Sequence, residues 1–174
     1  MQENSTVSPT FFNSEGVRIR CFLNMVDEVS DRLGKSVPPI VKIETLRQLP
    51  PETLGISLAD FLDENQLQPF TTGSRRKQLH DSIHVLTGYD TTPIGEAEVQ
   101  AFLLGGKFHL INIILGLGIL RIIYKKSLHY PDLWQRLYSA YQRGKASNFD
   151  VDCWQPETLW HLPLVQVQKQ FQLN

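Results

Sequence analysis

Apolar residues recur at helical spacing along almost the whole chain, and glycine or proline closes nearly every run. That pattern leaves little room for a sheet. A first helix is expected over Ser14 to Leu33. Val17, Ile19, Phe22, Leu23, Val26, Val29 and Leu33 form its stripe, Ser14 caps it and Gly34 stops it. A short second helix is expected over Ile43 to Gln48, ended by Leu49-Pro50-Pro51. A third runs from Ser57 to Glu64, with Leu58, Phe61 and Leu62 on one face. Arg75 to Thr87 reads as the fourth: Ser74 opens it, Leu79, Ile83 and Leu86 share a face, and Gly88 stands at its stop. After the tight connection Tyr89-Asp90-Thr91-Thr92, Thr92 caps a fifth helix that Pro93 begins and that runs toward Lys107. A sixth covers Phe108 to Lys125. The seventh starts at Pro131, carries Leu133, Trp134, Leu137, Tyr138 and Tyr141, and closes at Gly144. A last helix spans Pro163 to Phe171. Only short runs such as Pro38 to Ile43 could be extended. The expected fold is all-α, a single-domain bundle of seven or eight helices over residues 1–174, with residues 1–13 a loosely ordered tail.

A chain of 174 residues can bury roughly 70% of its unfolded surface, so it needs no staples. Seventeen Lys and Arg against 18 Asp and Glu give a net charge of −1, which argues against a nucleic-acid partner. Cys21 and Cys153 have no metal-ribbon spacing. They are expected to pack in a reducing compartment rather than do chemistry. The polar N-terminus has neither a signal core nor an Arg-rich presequence. A cytoplasmic protein, peripheral to a membrane, is therefore expected.

Between Lys107 and Arg121 lie 13 uncharged residues. As a helix they cover about 20 Å, short of the roughly 30 Å hydrocarbon core, and they include His109 and Asn112. Two readings stand. The segment is buried on all sides, or it lines a greasy tunnel or touches a bilayer surface. Gly105, Gly106, Gly116 and Gly118 cost about 1 kcal/mol each in a helix. Such glycines let another backbone, or a lipid chain, come close.

The stretch His80-Asp81-Ser82-Ile83-His84, with eleven residues between His84 and Glu96, carries the chemistry. Positions four apart share a helix face, so His80 and His84 can aim two imidazoles at one point. Asp81, three residues before His84, is a further ligand or an acceptor that orients a ring. Glu96 falls in the first turn of the next helix, and antiparallel packing returns it beside the histidines. Such a set suits four-coordinate Zn²⁺, or Fe²⁺ or Mn²⁺ with a position open. Mg²⁺ is not excluded by the sequence. The plainer readings are satisfied imidazoles at the edge of the core and a Glu96 favoured by the helix dipole. HExxH is the nearest familiar motif, but Asp81 replaces its Glu and no later His follows at zincin spacing. The basic run Arg75-Arg76-Lys77 is either a solvated helix start or, through Arg75 and Arg76, a docking point for a phosphate or anionic head group.

His80-Asp81-x-x-His84 with its spacing to Glu96 resembles the metal motif of the fourth Coq protein family, which acts in coenzyme Q (ubiquinone) biosynthesis. Leu49-Pro50-Pro51-Glu52-Thr53-Leu54-Gly55, Ala59-Asp60-Phe61-Leu62, Gly88-Tyr89, Gly95-Glu96 and Tyr141-Gln142-Arg143-Gly144-Lys145 followed by Trp154 extend the resemblance from about Leu46 to Leu173. The resemblance implies a divalent metal, usually taken as zinc, on His80, Asp81, His84 and Glu96. Asp81 and Glu96 are then the candidate catalytic groups. It implies a tunnel for a polyprenyl tail, for which Leu110, Ile113, Ile114, Leu117 and Leu120 are the candidates. It further implies a prenylated quinone precursor as ligand, peripheral membrane association, self-association as a homodimer, and assembly with other quinone-biosynthesis proteins. Two roles follow from it: a decarboxylase/hydroxylase acting at C1 of the ring, or a lipid-binding scaffold with a structural metal. An open coordination position separates the first from the second.

Overall fold

Leu54, Leu58, Leu62, Leu79, Ile83, Leu86 and Phe102 have almost no exposed surface and form the centre of the molecule. The structure, a computed structural model, describes residues 37–173; the expected helix over Ser14 to Leu33, and Cys21, lie outside them. Among the described residues there are eight α-helices and no strand. They are α1 (Ile43–Leu46), α2 (Leu54–Glu64), α3 (Arg75–Gln78), α4 (His80–Thr87), α5 (Pro93–Gly106), α6 (Leu110–Lys125), α7 (Leu133–Ala146) and α8 (Leu164–Gln170). A single 3-10 turn, Pro156–Thr158, precedes α8. The all-α expectation holds.

α2 starts three residues earlier than its apolar spacing predicts. Thr53 Oγ1 accepts from the Ile56 N–H, while the Leu54 and Gly55 N–H groups donate to the Leu162 and Trp160 carbonyls. These bonds satisfy the orphan donors of a helix start, so the chain enters the helix at Leu54. The fourth expected helix is two pieces. Leu79 has ψ −1°, far from the helical value of about −42°, and the axis breaks there. Gln78, just before the break, is buried and staples the incoming chain. Its Nε2 donates to the Val37 carbonyl at 3.0 Å and its Oε1 accepts from the Ile40 N–H at 2.8 Å.

Gly88 ends α4 with φ +77°, a left-handed residue that frees the chain to reverse. No neighbour would meet a Cβ there. Gly88→Ala is therefore expected to cost roughly 1 kcal/mol, all of it backbone strain. A fall of a few degrees in Tm with unchanged circular dichroism checks this.

α5 is the pivot of the fold, with α6 and α7 both packed on it. Gly144 does not stop α7, as its place in the sequence suggests, but lies buried inside it. A Cβ on Gly144 would run into the Phe102 carbonyl of α5, and one on Gly105 into the Tyr141 carbonyl of α7. The two glycines let the helix backbones touch. Glu98 of α5 is buried and receives two bonds from Arg136 of α7, at 2.9 and 2.6 Å. Arg143 donates to the Thr87 carbonyl at the end of α4 and to the Leu173 carbonyl. It thus closes α4, α7 and the C-terminus together.

α6 begins at Leu110, two residues later than expected, after an extended Lys107 and His109. It is not buried on all sides. Asn112, Ile119 and Ile123 are buried on one face, whereas Leu110, Ile114 and Leu117 face solvent. Ile113 and Leu120 lie between these extremes. Among the described helices α6 has α5 as its principal neighbour. Trp154 is a core residue, but Trp134 is exposed, and Cys153 is exposed rather than packed. Among the described residues, no helix is long and apolar enough to cross a membrane.

Candidate metal centre

The tight turn after Gly88 brings α5 back against α4. Asp90 Oδ1 accepts from the Thr92 N–H at 2.9 Å and from the Thr92 hydroxyl, and Thr92 Oγ1 accepts from the Gly95 N–H. Capped in this way, α5 starts with Glu96 in its first turn. His80 and His84 stand one turn apart on α4 and converge on that carboxylate. Their Nε2 atoms are 3.2 Å apart. His80 Nε2 lies 3.2 Å from Glu96 Oε2, and His84 Nε2 lies 3.4 Å from Glu96 Oε1. One ligand atom from each of the three residues fits within 4.8 Å of the others.

These spacings fit a cation. Nitrogen ligands at 2.0–2.1 Å in tetrahedral array stand about 3.3 Å apart. Glu96 is 2% exposed, and its Oε2 accepts no well-directed hydrogen bond among the described residues. A buried carboxylate oxygen in that state is balanced only by the charge of nearby cationic groups, the imidazoles or a bound ion. His84 Nδ1 lies 3.0 Å from the Tyr89 carbonyl. That bond requires the proton on Nδ1 and leaves the Nε2 lone pair aimed at the cluster, the usual orientation of a metal-binding imidazole. Phe61 of α2 stacks on the same ring, centroids 5.8 Å apart, and walls it from water.

Charge within the cluster is tightly coupled. Burial pushes the Glu96 carboxyl up, but the charges of His84 and His80 and their hydrogen bonds outweigh it and hold Glu96 well below the usual carboxylate range. Burial likewise pushes the His84 imidazolium down. Glu96, then Asp81, reverse that and leave His84 above its ordinary value.

Asp81 is buried and acts on His84 through its charge, but it is not in the set of three converging ligands. Arg75 points to the C-terminal segment. It donates to the Trp154 carbonyl at 2.6 Å and makes a two-pronged pair with Glu157. Arg76 instead turns toward α6, where its guanidinium donates to Asn112 Oδ1 at 3.2 Å. Leu110, Ile114 and Leu117 form an exposed apolar stripe one turn apart. Two contributors escaped the sequence reading. The Tyr89 carbonyl is a backbone group with no residue signature, and Phe61 reads as ordinary core.

No curated protein matches the chain. A crystal structure of a candidate ubiquinone biosynthesis protein from Nostoc punctiforme PCC 73102 superposes with TM-score 0.65 at 21% identity, covering 92% of this chain and 82% of that one. At that identity the likeness concerns the fold alone. The family profile for the coenzyme Q (ubiquinone) biosynthesis protein Coq4 matches residues 35–174, a span that holds every helix described and all three converging ligands. The chain belongs to the Coq4 family of coenzyme Q (ubiquinone) biosynthesis proteins.

Proposed function

We propose that the chain binds a divalent metal through His80, His84 and Glu96 and acts at that metal on a prenylated aromatic precursor of a ubiquinone-type quinone. The observation that carries the reading is the buried Glu96 carboxylate facing two oriented Nε2 atoms. Among the described residues three converge, and not four, which supports a site with a position left for a ligand rather than a closed structural site. When bound, the cation supplies polarisation of a ligand oxygen. His84 is held in one tautomer by Tyr89, and Phe61 keeps bulk water from its face. Glu96, held ionised, serves the ion, and Asp81 is the further buried carboxylate available to the ligand's ring. The exposed stripe of Leu110, Ile114 and Leu117 supports a place for the polyprenyl tail on α6, with Ile113 and Leu120 at its edge. A membrane surface and other quinone-biosynthesis proteins fit the same stripe as neighbours.

Native mass spectrometry with metal analysis tests this on protein purified without chelators. About one divalent ion per chain is expected, with an isoprenoid lipid alongside. His80→Ala is expected to lose the ion and keep its far-ultraviolet circular dichroism. Wild-type protein without metal, under conditions that preserve weak sites, overturns the reading.

A further inference from the structure

One helical turn from the metal cluster, buried polar groups face one another across the packed helices. Gln100 follows Glu96 by four residues on α5, so the two share a face. It is 3% exposed, and its Oε1 accepts no hydrogen bond among the described residues. Asn112 of α6 is 2% exposed. Its Oδ1 accepts from Arg76, and its Nδ2 donates to none of the described residues. Arg76 precedes His80 by four residues. Gly116, one turn after Asn112, stands opposite Gln100: a Cβ on it would meet only the Gln100 Cβ, at 3.7 Å. The unpaired acceptor on Gln100 and the unpaired donor on Asn112 are complementary, yet they do not bond to each other. Buried amides are seldom left half-satisfied, because their desolvation goes uncompensated.

We infer that Arg76, Asn112 and Gln100 form the recognition site for an oxyanion, a carboxylate or a phosphate, on the ligand that reaches the metal cluster. The Arg76 guanidinium and the Asn112 amide N–H groups take the anion, which replaces their bond to each other. Gln100 Oε1 accepts from a hydroxyl beside it. Gln100 lies one turn from Glu96 on α5, and Gly116, one turn from Asn112, packs on Gln100, so the bound group is held on the α5 side of the metal cluster. This deepens the proposed function and rests on the ligand being seated at that cluster. Arg76, Asn112 and Gln100 are specificity and positioning residues.

The test uses full-length protein loaded with zinc and titrated calorimetrically with benzoate, inorganic phosphate and phenol. Benzoate is expected to bind at least tenfold more weakly to Asn112→Leu and to Arg76→Met than to wild type. Phenol, which lacks the anion, is expected to bind all three alike, and zinc content is expected to stay constant. Competition by inorganic phosphate assigns the site to phosphate as well as carboxylate; failure to compete restricts it to carboxylate, and both outcomes support the inference. Asn112→Leu removes the orphaned Nδ2 together with the acceptor of one Arg76 bond, so its Tm is expected to stay close to that of wild type. Benzoate binding equally well to the variants at full zinc content overturns the inference and leaves the metal reading standing. A Tm loss in Asn112→Leu with unchanged benzoate affinity likewise overturns it, in favour of a purely structural Arg76–Asn112 link. Absence of zinc from wild type instead removes the proposed function itself.

Discussion

Glu96→Gln is expected to weaken zinc binding by more than about 100-fold, since altering even the outer partners of a metal site costs 10- to 100-fold. The amide matches the carboxylate in size, so α5 keeps its place and the change isolates charge. Metal analysis after gel filtration reads the result, with circular dichroism as the control for folding. Full zinc retention in Glu96→Gln places the ion elsewhere and removes Glu96 from the ligand set. The same electrostatics set the pH dependence. His84 is held above the ordinary histidine value of 6.5, so in the metal-free protein a proton competes for its Nε2 side near neutrality. Zinc affinity is expected to rise with pH above 6.5 as that proton is shed. Calorimetry in two buffers of different ionisation enthalpy should show proton release on zinc uptake. For stability the two groups act in separate windows: the raised His84 value contributes stability below 6.5 that is lost as pH rises through that raised value, and the low-pH window belongs to Glu96. Its depressed pKa contributes stability above the ordinary carboxylate value of 4.5, and that contribution is lost as pH falls through the depressed value.

Gly144→Val is expected to be the most disruptive single substitution at the α5–α7 crossing. Its Cβ meets the Phe102 carbonyl carbon at 2.8 Å and the Gly106 N at 3.1 Å, and the Phe102 oxygen more closely still. All three are backbone atoms, so no side chain can move aside. Overpacking commonly costs 1–3 kcal/mol; a clash with fixed backbone belongs at or beyond the top of that range, about 3 kcal/mol. For a chain of this length, that corresponds to a drop of roughly 6–12 °C in Tm. Chemical denaturation of Gly144→Val beside Gly88→Ala checks the ranking. A smaller loss at Gly144 than at Gly88 means the helices can separate without penalty, contrary to the close approach described. Because α5 carries Glu96, the Gly144 variant is also expected to lower zinc occupancy without touching a ligand.

Much of the local structure was legible. Thr92 and Pro93 announced the start of α5, Gly88 the end of α4, and the four-residue step from His80 to His84 a shared face. These are short-range effects: caps, backbone freedom and helical period act within a turn or two. Helix ends fixed by distant groups were not legible. α2 starts at Leu54 because carbonyls of Leu162 and Trp160 receive its first N–H groups, and no local signal encodes partners a hundred residues away. Gly144 reads as a stop until the α5 backbone is seen against it. Arg75 and Arg76 are equivalent as sequence, yet one is taken up by Glu157 and Trp154 and the other faces Asn112.

The sequence by itself determined that the chain is helical, that two imidazoles share one face, and that an acid opens the following helix. Those properties follow from periodicity and capping. Only the tertiary structure decided that Glu96 meets both rings while Asp81 stays outside the set, that Tyr89 fixes the His84 tautomer, and that among the described residues one face of α6 remains uncovered. Each depends on how close two helices come. That distance is set by the glycines between α5 and α7 and by the side chains each crossing must bury.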